Sequence, residues 1–239
     1  MKNNHKFFPT ESGLKKGRKI IMKEQVFDFY SPTALKSYNL DKTMQYQLNI
    51  LGSLDVFTRK HCENVANLTC RICEKLHCTK GFTEYCTICA YLHDIGKQFI
   101  PQSILQKPAK LTDEEYEIMK THVIRGGEIL KDFTLIDNVG VGALYHHERY
   151  DGTGYCHGLK GEEIPIEARI IGIADAFDAM TANRVYRKQL DLDFVIGELK
   201  RCSGTQFDPH LVEIMLSLIE EGVIDAERLY AKAKGEQKE

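Results

Sequence analysis

The chain lacks any run approaching the roughly 18 apolar residues that a membrane span requires. It also lacks an excess of either charge: 32 Lys and Arg face 34 Asp and Glu, for a net charge of −2. Overall charge therefore points to neither a nucleic-acid polymer nor an anionic membrane as partner, and a polyanionic ligand would need a local basic patch. The N-terminus, MKNNHKFFPTESGLKKGRKI, has no apolar core of the kind a secretory signal carries. A cytoplasmic location is expected. No segment sustains the period-2 alternation of a half-buried strand, and no internal repeat is present. What remains is ordinary for a globular protein: 239 residues, 43% hydrophobic and 28% charged.

Cysteine, by contrast, is plentiful, at positions 62, 70, 73, 78, 86, 89, 156 and 202. Without an export signal, a disulfide framework is not expected. Cys70-x-x-Cys73 and Cys86-x-x-Cys89 stand 12 residues apart, which is similar to zinc-ribbon spacing. The surrounding strings, ENVANLTCRICEKL and EYCTICAYLHD, are continuous helix patterns without the Gly or Pro of a metal knuckle. Cysteine is a small, readily buried residue, and i, i+3 pairs share a helix face. Buried core thiols are the favoured reading.

The apolar periodicity is helical nearly throughout. Residues 1–30 are charged and irregular. Ser31-Pro32 reads as a cap with Pro at the first helical position. Helices are expected over 33–50, 53–77 and 83–94, with Gly81 turning the chain between the last two and Gly96 ending the third through positive φ. IPQSILQKPAK reads as loop. Thr112 and Glu115 make a capping box for the next helix. Further helices are expected over 135–147, from Pro165 through TANR, over 191–203, and after the Asp208-Pro209 cap. HHERYDGTGYCHGLKGEEIP, rich in Gly and polar residues, reads as a surface loop. The fold class is all-α, a bundle of roughly seven to nine helices over 41–225, with an extension at 1–40 and a tail at 226–239.

YLHDIGK raises the question of function, because an apolar run ends there in adjacent His93 and Asp94. Neighbours on a helix do not face each other, so the two make a poor internal ion pair. They do make a way to aim two ligands at one point from a helix end. His61, His122, His146, His147 and Asp175 likewise end or interrupt apolar patterns. Any one alone reads more readily as a structural residue: His146-His147 as a polar helix end, Asp175 as a partner for Arg184. Together they argue for a shared cation, because burying several uncompensated imidazoles and carboxylates is costly. Five histidines and two carboxylates suit Mn²⁺, Fe or Zn²⁺ better than Ca²⁺ or Mg²⁺. Seven ligands exceed what one ion needs, and a carboxylate such as Asp94 can bridge two. Two metals about 3.5–4 Å apart are a usual device for phosphoester hydrolysis.

The order His61, His93-Asp94, His122, His146-His147, Asp175 resembles the HD-GYP family of HD-superfamily metal phosphohydrolases. The likeness runs from about Asp55 to about Leu211. DVFTRKHCENVA is similar to the family's opening helix, LHDIGK to its signature dyad, HHERYDGTGYCHGL to its second signature, IADAFDAMTANRVYRK to its closing ligand helix and FDPHLV to its C-terminal segment. The resemblance implies an HD-domain helical bundle that hydrolyses cyclic di-GMP to linear pGpG, and in some members on to GMP. It implies that His61, His93, Asp94 and Asp175 hold one divalent transition-metal ion, and Asp94, His122, His146 and His147 another. Fe or Mn is the leading expectation, with Zn, Co and Ni as alternatives. A bridging water or hydroxide would attack phosphorus. Lys97 would lie near the scissile phosphate, its bland reading being a surface lysine after a helix cap. Gly154, Tyr155, Arg184 and Arg187 would contact substrate. Gly152 and Gly154 would let backbone approach the nucleotide, and Tyr155 could stack on a base. Arg184, Arg187 and Lys188 would supply the basic patch that the net charge lacks, though they read almost as well as helix-end charges.

Two departures bear on that expectation. The family's Gly-Tyr-Pro triplet is Gly154-Tyr155-Cys156 here, which restores a backbone N–H and leaves room for a protein partner at this loop. Some members place Glu four residues before the first ligand histidine and hold a third metal. Phe57 stands there, which implies two metals and a reaction that stops at pGpG. The alternatives are a catalytically weak cyclic-dinucleotide-binding adaptor and an HD-type hydrolase of another nucleotide. No sensory domain is recognisable.

Overall fold

The computed structural model describes residues 56–131, 136–181 and 190–224. The extension at 1–40, the helix expected over 33–50, the Phe57 side chain, Arg184, Arg187, Lys188 and the tail lie outside what is described. Among the described residues the chain forms eight α-helices and no strand, in keeping with the all-α expectation. They are α1 (Val56–Lys75), α2 (Lys80–Leu92), α3 (Gln102–Leu105), α4 (Asp113–Leu130), α5 (Val141–Tyr145), α6 (Ile166–Thr181), α7 (Leu192–Arg201) and α8 (Pro209–Glu220). A 3₁₀ turn, Ile95–Phe99, follows α2. None of these helices is long and apolar enough to cross a membrane.

The centre of the bundle is α1, which packs against α2, α6 and α8. Cys62, Val65, Ala66, Thr69, Ile72 and Cys73 recur at three- and four-residue steps, and Asn64, Asn67, Leu68 and Cys70 between them are buried too, so the middle of α1 is enclosed on all sides. α6 supplies Ile170, Ile171, Ala174 and Phe177 to the same core. Phe177 is fully buried, and its truncation to Ala would cost about 3–5 kcal/mol. The eight cysteines are all free thiols, and Cys62, Cys70, Cys73, Cys86, Cys89 and Cys202 are buried. Burial lifts the Cys89 thiol to about 12. These residues behave as small core hydrophobes, as the helix patterns implied.

Several boundaries differ from the sequence expectation. The chain turns between α1 and α2 at His77, not Gly81. His77 takes φ +56°, with His77 N–H donating to Glu74 O and Cys78 N–H to Cys73 O, the pairing of a Schellman cap. Thr79 then caps α2 by accepting from Phe82 N–H, which leaves Gly81 inside the first turn. IPQSILQKPAK contains the short α3 rather than loop alone. The 135–147 helix is reduced to Val141–Tyr145, because Asn138 breaks the approach at φ +59°. The Thr112–Glu115 box forms in both directions, and Asp208 caps α8 through His210 N–H with Pro209 in its first turn.

Gly96 has a different role from the one its position suggested. α2 ends at Leu92, and Gly96 lies within the 3₁₀ turn without positive φ. A Cβ there would meet His122 O at 1.9 Å and Gly126 N at 2.6 Å. The glycine is needed for close approach, so that the turn carrying Asp94 can lie directly on α4.

Candidate metal centre and substrate cavity

Asp94 sits at the focus of four helix ends and faces. It is the half-in residue between α2 and the 3₁₀ turn, at φ −98° and ψ 9°, and is 1% exposed. Its Oδ2 lies 3.3 Å from His93 Nε2 and 3.6 Å from His61 Nε2. Its Oδ1 lies 3.4 Å from His122 Nε2 and 4.0 Å from His146 Nε2. One carboxylate thus faces two pairs of imidazoles from opposite oxygens. Asp175 Oδ1, on α6, is 3.0 Å from His61 Nε2, and the His147 ring is 4.1 Å from that of His146. All seven side chains singled out from the sequence converge here.

The outer nitrogens explain why the inner ones point inward. His93 Nδ1 is 2.6 Å from Ala90 O, His122 Nδ1 2.7 Å from Met119 O, and His146 Nδ1 2.9 Å from Gly142 O. A backbone carbonyl can only accept, so each Nδ1 carries the proton and each Nε2 presents a lone pair to the centre. His61 Nδ1 is held by a carboxylate instead, Asp178 Oδ2 at 2.6 Å, and Asp178 Oδ1 accepts from Asn64 Nδ2 at 2.8 Å. Asp178 and Asn64 were not singled out from the sequence. Asp178 had a signal: it follows Asp175 by three residues on an otherwise apolar helix, so the two share a face.

The imidazoles divide into neutral rings and one charged ring. Burial drives the imidazoles of His146 and His122 downward and that of His147 to about 3, so these rings stay neutral. Burial also opposes charge on His61, but Asp175 and Asp178 outweigh it and lift the ring to about 9. Burial would raise the Asp94 carboxyl, yet the Lys97 ammonium holds it well below the usual range. Lys97 Nζ donates to Asp94 Oδ2 at 2.5 Å. Buried His93 Nε2 and Asp94 Oδ1 have no hydrogen-bond partner, which is costly for polar atoms in the interior. Orphaned nitrogen and oxygen donors around one point are what a transition-metal ion would satisfy. Three mutually close donor sets can be drawn from these residues: His61, His93 and Asp94; His122, His146 and His147; and His93, His146 and Asp175.

The centre opens into a cavity of about 650 Å³, whose wall includes Lys97, His122, His147, Tyr155 and Asp175. Gly154 and Tyr155 both line it, but each is engaged by the protein. A Cβ on Gly154 would meet Arg149 N at 2.4 Å and Glu148 Cα at 2.6 Å, so the glycine serves loop packing. Tyr155 stacks on His147 at 4.9 Å and 29°. Arg149, Arg169 and Arg201 also line the wall, Arg169 paired with Asp208 and Arg201 with Glu198, each at 2.6 Å, and none of the three stood out in the sequence. Arg149 donates to Gln206 Oε1 and Thr153 Oγ1, both at 3.0 Å.

The chain belongs to the HD domain family, which matches residues 38–211. A cyclic di-GMP phosphodiesterase of Thermotoga maritima is 39% identical over 222 residues, covering 84% of this chain and 60% of that protein. A cyclic di-GMP phosphodiesterase response regulator of Xanthomonas campestris is 39% identical over 161 residues, or 66% of this chain and 43% of that protein. A 3′3′-cGAMP-specific phosphodiesterase of Vibrio cholerae is 45% identical over 127 residues, or 52% of this chain and 24% of that protein. The chain therefore spans less than two thirds of each of these relatives. The fold is similar to that of an HDG"Y"P protein of Bdellovibrio bacteriovorus, with a TM-score of 0.58 at 20% identity, covering 74% of this chain and 57% of that one.

Proposed function

We propose that the chain is a metal-dependent phosphodiesterase that hydrolyses cyclic di-GMP to linear pGpG. The observation that carries this reading is the placement of Asp94 between two pairs of inward-facing Nε2 atoms, in a cluster of which His122, His146, His147 and Asp175 line a cavity. His61, His93, Asp94 and Asp175 would hold one divalent ion, and Asp94, His122, His146 and His147 a second, with Fe or Mn the leading expectation and Zn, Co and Ni as alternatives. When bound, such ions supply a water acidic enough to attack phosphorus and offset charge on the phosphate oxygens.

The protein's own groups complete the chemistry. Asp94 offers one oxygen to each donor set and fixes their separation. Lys97, with its ammonium 2.5 Å from Asp94 Oδ2, can turn to a phosphate oxygen and stabilise the charge that develops there. It can also deliver a proton to the departing ribose oxygen. Arg149 on the wall, whose guanidinium hydrogen-bonds the neutral side chains of Thr153 and Gln206, is placed to meet a phosphate. We also propose Arg184 and Arg187 as phosphate or guanine contacts, and Gly154-Tyr155-Cys156 as the loop that meets the nucleotide or a protein partner.

A second reading, cyclic GMP–AMP as substrate, is favoured by the 45% identity to the Vibrio cholerae relative. The test is turnover of both cyclic dinucleotides by anaerobic protein loaded with Mn²⁺ or Fe²⁺, with Asp94→Ala as control and products resolved into pGpG and GMP. Faster turnover of cyclic di-GMP, abolished by Asp94→Ala, is expected. Tight binding without turnover would instead make the chain an adaptor.

A further inference from the structure

Cys156 replaces the proline of the HD-GYP signature, and its surroundings give the replacement a use. Glu148, Cys156 and His157 bring one carboxylate oxygen, one thiol sulfur and one imidazole nitrogen within 4.8 Å of one another. Cys156 Sγ lies 3.0 Å from His157 Nδ1 and 3.8 Å from Leu144 O. None of the three residues belongs to the donor sets around Asp94.

Glu148 is the fixed member. It is 7% exposed and accepts three backbone N–H groups of the loop, from His157 at 2.6 Å, Gly158 at 3.1 Å and Leu159 at 3.1 Å. The first two converge on Oε1 and only the third on Oε2. A carboxylate has about four acceptor directions, so Glu148 keeps acceptor capacity beyond these three N–H groups. His157 is exposed, its ring 5.2 Å from that of Tyr145, and can open from its present contact with the sulfur without disturbing the core.

We propose that Glu148, Cys156 and His157 form a separate site for a single soft or borderline divalent cation such as Zn²⁺. Sulfur, imidazole and one carboxylate oxygen are a ligand set that Zn²⁺ accepts, and three protein ligands leave a fourth position open to solvent. The Cys156 thiol proton leaves to water as the sulfur–metal bond forms, with no change in oxidation state. Occupancy ties the loop that carries Tyr155 to the residue directly after His147. The loop rigidity that a proline would give covalently then becomes dependent on metal.

The test is a Co²⁺ titration of the reduced, metal-stripped full-length chain. Cobalt bound to a thiolate shows a near-ultraviolet charge-transfer band that a nitrogen and oxygen site lacks. The expected result is a band whose final intensity corresponds to one bound cobalt and which disappears in Cys156→Ser, with total cobalt uptake lower by that one equivalent. His157→Ala, at an exposed position, keeps the test open if Cys156→Ser is poorly folded. It should shift the midpoint of the band by at least the roughly tenfold that even an outer partner of a ligand commands. No band in the reduced parent, a band that persists in Cys156→Ser, or an unmoved midpoint in His157→Ala would overturn the proposal.

Discussion

Tyr155 lies nearly parallel to His147, with ring centroids 4.9 Å apart and planes 29° from each other. The Tyr116 ring stands nearly at right angles to that of Tyr155, with centroids 6.5 Å apart, and Lys120 Nζ stands 5.8 Å from the Tyr155 centroid. The stack orients an imidazole of the metal centre and covers it from the cavity side. Aromatic pairs contribute about 0.5–1.5 kcal/mol beyond area burial. Tyr155→Phe keeps the stack and is expected to stay within about twofold of the parent in kcat/KM. Tyr155→Ala should lose about 2- to 10-fold, the same energy range converted. Steady-state kinetics on the two variants checks this, and equal values would remove the stack from the account.

Asp178 acts on the centre through His61. Its carboxylate orients the ring from Nδ1 and is itself held by Asn64. Partners of this kind typically command about 10- to 100-fold in metal affinity or activity. Asp178→Asn should therefore weaken Mn²⁺ binding by about that factor with little loss of fold. Asp178→Ala should lower stability as well, by about 1–3 kcal/mol, because the Asn64 amide and His61 Nδ1 lose their buried partner. Metal titration and thermal melts on both variants separate the two effects.

The seven converging side chains were legible because each sits inside an uncommon string in a fixed order, and chemistry forbids burying so many polar groups without a shared purpose. The capping box at Thr112 and the Asp208-Pro209 start of α8 were legible because capping is local. Tertiary relationships were not. Gly96 looked like a helix terminator, yet its cause is the His122 carbonyl, 26 residues later in the chain. Tyr155 looked free to stack on a base, and only the folded loop shows it lying on His147. Gly81 looked like a turn because glycine usually marks one, but a cap at Thr79 and a left-handed His77 place the turn earlier.

The two glycines of α2 and the turn after it should respond oppositely to a methyl group. At Gly96 an added Cβ would overlap the His122 carbonyl and the Gly126 amide, both backbone. Overpacking typically costs about 1–3 kcal/mol, and rigid backbone neighbours put Gly96→Ala at or above the top of that range. The variant should also lose metal, since the turn and α4 carry Asp94 and His122. At Gly81 nothing lies within 4 Å, so Gly81→Ala should gain about 0.5–1 kcal/mol of helix stability. Chemical denaturation of the pair is the measurement, and a Gly96→Ala chain of parental stability would contradict the packing described.

Removing metal exposes the opposed titrations of the histidines. His147 is neutral in the folded chain down to about pH 3 and His122 and His146 are shifted the same way, while the unfolded rings protonate near pH 6.5. Below that value the unfolded state binds more protons, so stability falls as pH drops from about 6.5. His61 runs the other way. Its folded value of about 9 means its contribution is fully present below about pH 6.5 and is lost as pH rises through 9. The metal-stripped chain should therefore melt highest near pH 6.5 and decline on both sides. Saturating Mn²⁺ should abolish the alkaline decline, because a His61 that ligates through Nε2 is already neutral, keeping only the Nδ1 proton held by Asp178. Thermal melts across pH 5–10, with and without metal, test both limbs. An alkaline decline that survives metal saturation would mean that His61 stays protonated and is not a ligand.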